Sequence, residues 1–129
     1  MKTVINTPNA PAPIGPYNQA IKANGFIFVS GQVAIEPETG VVILSSIVEE
    51  THQVMKNLQA VLKAGHSTLE KVVMSTIFLS DMNHFSAVNE IYSTYFGSNY
   101  PARATVAVKT LPKNVNVEIA VIAIESISC

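Results

Sequence analysis

Val117-Glu-Ile-Ala-Val-Ile-Ala-Ile124 is an eight-residue apolar run interrupted by one charge. Its length and branched residues read as a buried strand. A lone carboxylate in such a strand is expensive to desolvate unless it is paired or kept neutral, so Glu118 needs a reason to be there. A similar run stands upstream, Pro101-Ala-Arg-Ala-Thr-Val-Ala-Val108, with Arg103 isolated among small and branched residues. The two runs are joined near Leu111-Pro112 and read as neighbouring strands, one carrying a base and the other an acid.

The rest of the chain builds a sheet and two helices around them. Asp81 is placed to cap a helix that carries Phe85, Val88, Tyr92, Tyr95 and Phe96 on one stripe, with Gly97 as its stop. Leu69–Leu79 reads as a strand. Ser46-Ile-Val-Glu49 is a capping-box pattern. It opens another helix with Ile47, Val54, Met55, Leu58, Val61 and Leu62 on one face, and Gly65 at its C′ position. Pro37-Glu-Thr-Gly40 is a turn leading to a short strand at Val41–Leu44. Asn24-Gly25 supplies the positive φ angles of a type I′ turn between strands at Tyr17–Ala23 and Phe26–Ser30. Residues 8–16 hold four prolines and form an extended lead-in that delivers Tyr17. The expected order is β-β-β-α-β-α-β-β: an α+β chain with a mixed, mostly antiparallel sheet and both helices on one face. The other face must then meet something else.

Composition bounds the partners. A chain of 129 residues supports one domain spanning 1–129 and one core. Charged residues make up 13% and hydrophobic residues 48%, and the charge content is about half the globular average. So sparse a polar surface implies covering by other copies of the chain. The formal net charge of -1, with no basic block, argues against a phosphate-neutralising surface for nucleic acid. The N-terminal segment shows no apolar signal region and no run reaches membrane-spanning length, so a cytoplasmic protein with no membrane partner is expected. The single cysteine, Cys129, rules out an intramolecular disulfide and is poorly placed for a nucleophile. His52, His66 and His84 lack metal-ligand spacing and read as solvated; no metal site is expected. No phosphate loop, GxGxxG, Ser–His–Asp cue or CxxC is present.

A few residues remain that could carry chemistry. Arginine's planar fork matches a carboxylate bidentately, so Arg103 is a candidate clamp for a small organic acid; the alternative is a structural ion pair with Glu118. Desolvation should raise the pKa of Glu118 and a nearby arginine should oppose that, leaving a carboxyl able to exchange a proton near neutral pH. The alternatives are simple neutralisation by Arg103 or a place in a subunit interface. In Ser30-Gly31-Gln32 the glycine leaves the backbone open to a ligand, or marks a strand-end bulge. Tyr17 offers a phenol to a pocket or packs half-buried. Asn89, on the buried side of the second helix, bonds a loop backbone or lines a cleft.

Taken in order and spacing, Ala12-Pro-Ile-Gly-Pro-Tyr17, Val29-Ser-Gly-Gln32, Val88-Asn-Glu-Ile-Tyr92, Pro101-Ala-Arg103 and Val117-Glu118 resemble the Rid/YjgF reactive intermediate deaminase family, in its RidA branch. The resemblance covers essentially the whole chain. It implies a chorismate-mutase-like fold and a homotrimer with sites at subunit interfaces. It also implies cofactor-free hydrolysis of 2-imino acids, or their enamine tautomers, to 2-keto acids and ammonia; the imines come from pyridoxal-phosphate dehydratases acting on serine and threonine. By the same resemblance Arg103 would clamp the carboxylate. Glu118 would activate water and protonate the leaving nitrogen. Tyr17 would bond the acid, with Ser30, Gly31, Asn89 and Thr105 shaping the cleft. Many relatives have cysteine where this chain has Thr105, which removes a thiol but keeps a backbone N–H and adds a hydroxyl. Two other classes stay open: RNA cleavage or translation inhibition, and a non-catalytic small-acid-binding or holdase protein.

Overall fold

The fold is that of a computed structural model describing residues 1–126; Cys129 lies outside them. Six strands form one mixed sheet: β1 (Thr3–Ile5), β2 (Ala20–Ala23), β3 (Phe26–Gln32), β4 (Val72–Leu79), β5 (Ala102–Ala107) and β6 (Val117–Ile124), in the order β1-β2-β3-β6-β4-β5. Helix α1 (Ile47–Ala64) follows β3 and helix α2 (Phe85–Thr94) follows β4. Among the described residues only β4 and β5 pair in parallel, with α2 as their crossover; the other pairings are antiparallel. Both helices pack together, and α1 also packs on β3 and β6, so the α+β architecture with a mixed, mostly antiparallel sheet is as expected.

Local chemistry explains the helices. Ser46 caps α1 by accepting from the Glu49 N–H at 3.1 Å, and the apolar stripe from Val54 to Leu62 is completely buried. The stop at Gly65 works differently from expectation. Gly65 has φ -90, while His66 takes the left-handed turn at φ 63. The N–H groups of Ser67 and His66 return to the carbonyls of Leu62 and Lys63, a Schellman closure with His66 at C′. Glycine is needed at 65 for room: a Cβ there would fall 2.9 Å from Ile5 Cδ1 and 3.0 Å from Ile27 Cδ1. Asp81 does not cap α2 directly. It accepts from the Asn83 N–H at 2.8 Å and opens a 3-10 turn, Met82–His84, that runs into the helix.

Four strand expectations need correction, although they leave the order of elements unchanged. Val41–Leu44 is no strand of the sheet. The Gly40 N–H bonds the Glu36 carbonyl and Ile43 bonds Ala34, so the segment folds back on its own loop and makes only the Ile35–Val42 bridge. The additional strand is β1, which pairs Thr3–Ile5 with Ala20–Lys22. The strand expected from Tyr17 starts at Ala20, and the one expected from Leu69 starts at Val72 after a 3-10 turn at Leu69–Lys71. The Asn24-Gly25 turn is as read, with φ 52 and 82, joining β2 to β3. His52 is not merely solvated: its Nδ1 lies 2.7 Å from the Tyr95 hydroxyl.

The sheet face away from the helices is apolar and uncovered in the single chain. Phe26, Phe28, Val106 and Ile124 keep 42–45% of their surface exposed there. The alternating partners of these residues, Ile27, Val29, Val121 and Ala123, fill the core.

Candidate functional site

Arg103 lies on β5, which is the sheet edge, and β4 separates it from β6. The two strands are therefore not neighbours, contrary to the sequence expectation. Register also sets parity. Arg103 pairs with Ser75, which pairs with Val121; both are buried under the helices. Glu118 pairs with Phe78, which pairs with Val106 on the open face. Two inter-strand steps and three residues along the strand separate the Cα atoms by roughly 14 Å, with side chains on opposite faces. An Arg103–Glu118 ion pair within one chain is thereby excluded.

Arg103 is held by α2. Its guanidinium lies over the rings of Phe85, at 5.6 Å, and Tyr92, at 5.4 Å. Asn89 Oδ1 accepts a short bond from Arg103 Nη1. Asn89, Tyr92, Ser93, Tyr100, Pro101 and Arg103 surround a hollow of about 530 Å³. Asn89 thus lines a cleft and orients the arginine; it does not tie down a loop. Tyr92 is fixed from below, its hydroxyl donating to Ser75 Oγ at 2.8 Å. Burial pushes the Tyr92 phenol above its ordinary pKa, against the Ser75 bond and the Arg103 charge. Thr105, two residues along the same face as Arg103, has a buried hydroxyl with no hydrogen-bond partner.

Glu118 occupies a second hollow of about 600 Å³, shared with Tyr17, Ser30, Gly31, Lys113 and the proline lead-in at Pro11 and Ala12. The pairing of β3 with β6 slips between Val29 and Gln32, so Ser30 and Gly31 form a bulge. The bulge and the open-backbone reading of Gly31 are one feature, since the carboxyl of Glu118 lies against this glycine. A Cβ at position 31 would fall 2.8 Å from Glu118 Cδ. Burial raises the Glu118 pKa and no cation offsets it; the charge of Arg103 is felt by Tyr92 instead. The Ser30 hydroxyl donates to the Asn18 carbonyl at 2.6 Å, so it braces the cleft wall. Tyr17 is half-exposed, its hydroxyl 3.4 Å from the Ile14 N–H.

Two residues of this hollow escaped the sequence reading. Gln19, buried, takes the Thr7 N–H and gives to the carbonyls of Thr7, Ala10 and Pro11, which fixes the proline lead-in as a wall. Lys113 is in the left-handed region, φ 58, beside Asn114 at φ 55. Gln19 follows the expected Tyr17 with nothing in sequence to single it out. Among the described residues no group of three or more His, Cys, Asp or Glu could hold a metal, and no helix is long and apolar enough to cross a membrane.

The arrangement offers two half-sites. One is a cation with stacked rings and an amide, able to grip a carboxylate. The other is a half-dry carboxyl in an open hollow, able to hold water and move a proton.

Comparison with known proteins gives the family and the fold. The family model described as Endoribonuclease L-PSP matches residues 7–125. A RutC family protein of Pyrococcus horikoshii is 50% identical over 95% of this chain and 98% of its own length. The mouse 2-iminobutanoate/2-iminopropanoate deaminase is 46% identical over 97% of this chain and 93% of its own. The structure of E. coli TdcF with bound serine superposes with a TM-score of 0.91 at 32% identity, over 96% of this chain and 99% of that one. With such likeness the fold is the chorismate-mutase-like one expected.

Proposed function

This chain belongs to the endoribonuclease L-PSP family of Rid proteins, and on that premise we propose that it is a deaminase of reactive 2-imino acids and their enamine tautomers, working as a homotrimer with sites between subunits. The observation that carries the proposal is the division of the two functional groups. Arg103 and Glu118 sit in different hollows on opposite sheet faces. A small acid cannot reach both in one chain, whereas the edge hollow of one copy set against the open hollow of another presents them together. The exposed apolar sheet face supplies the surface such packing needs.

In this reading the substrate carboxylate lies in the fork of Arg103, whose plane is held by Phe85, Tyr92 and Asn89. Glu118 of a neighbouring copy holds a water against the C=N carbon. The water oxygen bonds that carbon while Glu118 takes a water proton and passes it to the imine nitrogen, giving a carbinolamine. Glu118 then takes the carbinolamine hydroxyl proton and delivers it to the amine nitrogen as the C–N bond breaks and the C=O forms, and keto acid and ammonia leave. Water is the only co-reactant. An imine is already electrophilic, so orientation and one proton shuttle suffice. The raised pKa of Glu118 suits both halves of that cycle. Tyr17 and the backbone N–H groups near Gly31 and Thr105 complete the cleft. The relative named as an iminobutanoate/iminopropanoate deaminase and the bound serine in TdcF support a short-chain acid as the substrate.

The test couples the protein to a threonine dehydratase and follows keto acid release. Arg103→Ala and Glu118→Gln should each abolish the acceleration. Co-assembled from equal amounts, the two inactive chains should recover about a quarter of wild-type activity, since one in four interfaces then joins an intact arginine to an intact glutamate. No recovery from a mixed trimer rejects the shared site, and an active Arg103→Ala rejects the deaminase.

A further inference from the structure

We propose that Glu50, which does not line either hollow, is a positioning residue for Glu118. Glu50 sits in the first turn of α1 and is completely buried. Among the described residues the only ion pair is Lys22–Glu125, so no cation compensates Glu50. Its carboxylate is satisfied by N–H groups from one short segment. Oε2 accepts from the Asn116 and Val117 backbone N–H at 2.7 and 3.0 Å, and Oε1 accepts from Asn116 Nδ2 at 3.0 Å. Asn116 is braced in turn by Ser80, whose hydroxyl donates to Asn116 Oδ1 at 2.9 Å and whose N–H donates to the Asn116 carbonyl at 3.0 Å.

Location gives this clamp its meaning. The segment it grips ends one residue before Glu118. The pairing of β3 with β6 reaches only to Gln32 opposite Ile119, and it is already slipped by the bulge. On that side β6 therefore enters the sheet with its ladder partner gone, and Glu50 takes the place of the missing strand for Asn116 and Val117. Glu118 is thus held from two sides: Gly31 leaves room for its carboxyl, and Glu50 holds the backbone that carries it. A buried carboxylate without a cation is costly to desolvate, and the three N–H donors of this segment are what offset that cost. A carboxylate is used because it can accept several N–H groups at once.

This inference rests on Glu118 being the proton-shuttling group, and its test separates the two claims. Glu50→Ala removes the clamp. Glu50→Gln keeps an oxygen for the two backbone N–H groups, and the Asn116 amide can turn over to accept from the new NH₂ while donating to Ser80. Turnover in Glu50→Ala should fall about tenfold or more in kcat with KM changed less than about threefold, because binding is left to Arg103. Glu50→Gln should stay within about twofold of wild type. Asn116→Ala, which spares the backbone bonds, should lie between and is the deciding variant if Glu50→Ala does not fold. Independently of activity, the carboxyl ¹³C titration of Glu118, assigned by its loss in Glu118→Gln, should shift down by about half a pH unit or more in the loosened variant as water reaches the side chain. A folded Glu50→Ala with wild-type kcat overturns the proposal, as does a Glu50→Gln no better than Glu50→Ala. If the wild type has no turnover the deaminase reading fails instead, and the Glu118 titration alone decides the role of Glu50.

Discussion

Gly31→Ala is the sharpest perturbation the structure offers, because it adds one methyl group directly against the reacting carboxyl. The new Cβ would lie 2.8 Å from Glu118 Cδ and 3.1 Å from Cγ. Carbon atoms prefer about 3.5–4.0 Å, so the overlap is roughly 0.5–1 Å. The obstacle is the end of a flexible side chain, and it yields where backbone would not. Overpacking costs about 1–3 kcal/mol, while the loss of glycine's freedom in the unfolded chain returns about 0.4–1 kcal/mol. The net effect on stability is about 1 kcal/mol, a fall in Tm of roughly 4 °C for a chain of this size. Function should suffer far more. Glu118 can relieve the clash only by moving about 1 Å, and a displacement of that size costs on the order of 10²-fold in rate. The expected Gly31→Ala protein is therefore folded, nearly as stable as wild type, and about a hundredfold slower in the dehydratase-coupled assay. Wild-type kcat in a folded Gly31→Ala protein would remove Glu118, in its observed position, from the mechanism.

Three further outcomes follow from single contacts. Tyr92→Phe leaves the hydroxyl of buried Ser75 without its donor and should cost about 1–2 kcal/mol in thermal unfolding; in the wild type the Tyr92 phenolate should form above the ordinary tyrosine range, read by ultraviolet absorbance. Thr105→Val removes a buried hydroxyl that has no partner, so the free chain should gain about 1 kcal/mol in denaturant unfolding, while a fall in kcat/KM would place that hydroxyl on the substrate. Glu118 has its folded pKa raised by burial, so its contribution to stability is complete below the ordinary carboxylate pKa and is lost as pH rises through the folded value; Glu118→Gln should accordingly have the higher Tm at pH 8, and the advantage should vanish near pH 4.

Local signals were legible in the chain and distant pairing was not. The stripe from Val54 to Leu62, the Ser46 cap and the Asn24-Gly25 turn all act within a few residues, and each forms as read. Strand alternation on β5 puts Arg103 and Thr105 on one side. Val41–Leu44 misled because branched residues alone suggest a strand, yet its hydrogen bonds close back on its own loop. β1 offers three residues, only one of them buried, and its strand character comes wholly from β2. The insertion of β6 between β3 and β4 depends on partners far away in sequence, so Arg103 and Glu118 could be chosen as the important pair without their separation being visible. Glu50 did carry a signal: it lies three residues after Ile47 and four before Val54, a charge on the apolar stripe of its helix. His52 and Tyr95 meet only because α1 packs on α2, which helical spacing within either one does not encode.

The separation has a physical consequence for catalysis. If Arg103 and Glu118 were in contact within a chain, each would neutralise the other. The guanidinium fork would be occupied, and the carboxyl would be held ionised by the adjacent cation, well below the range useful for returning a proton. Opposite faces prevent this. Among the described residues Arg103 keeps company with stacked rings and an amide, so its remaining N–H groups stay available to an arriving carboxylate. Glu118 keeps a pKa raised by burial alone. In the proposed trimer the substrate stands between them, its own carboxylate taking up the arginine's charge and its imine facing the glutamate. The pair is then brought together without being allowed to collapse into an ion pair, because the molecule to be hydrolysed fills the gap.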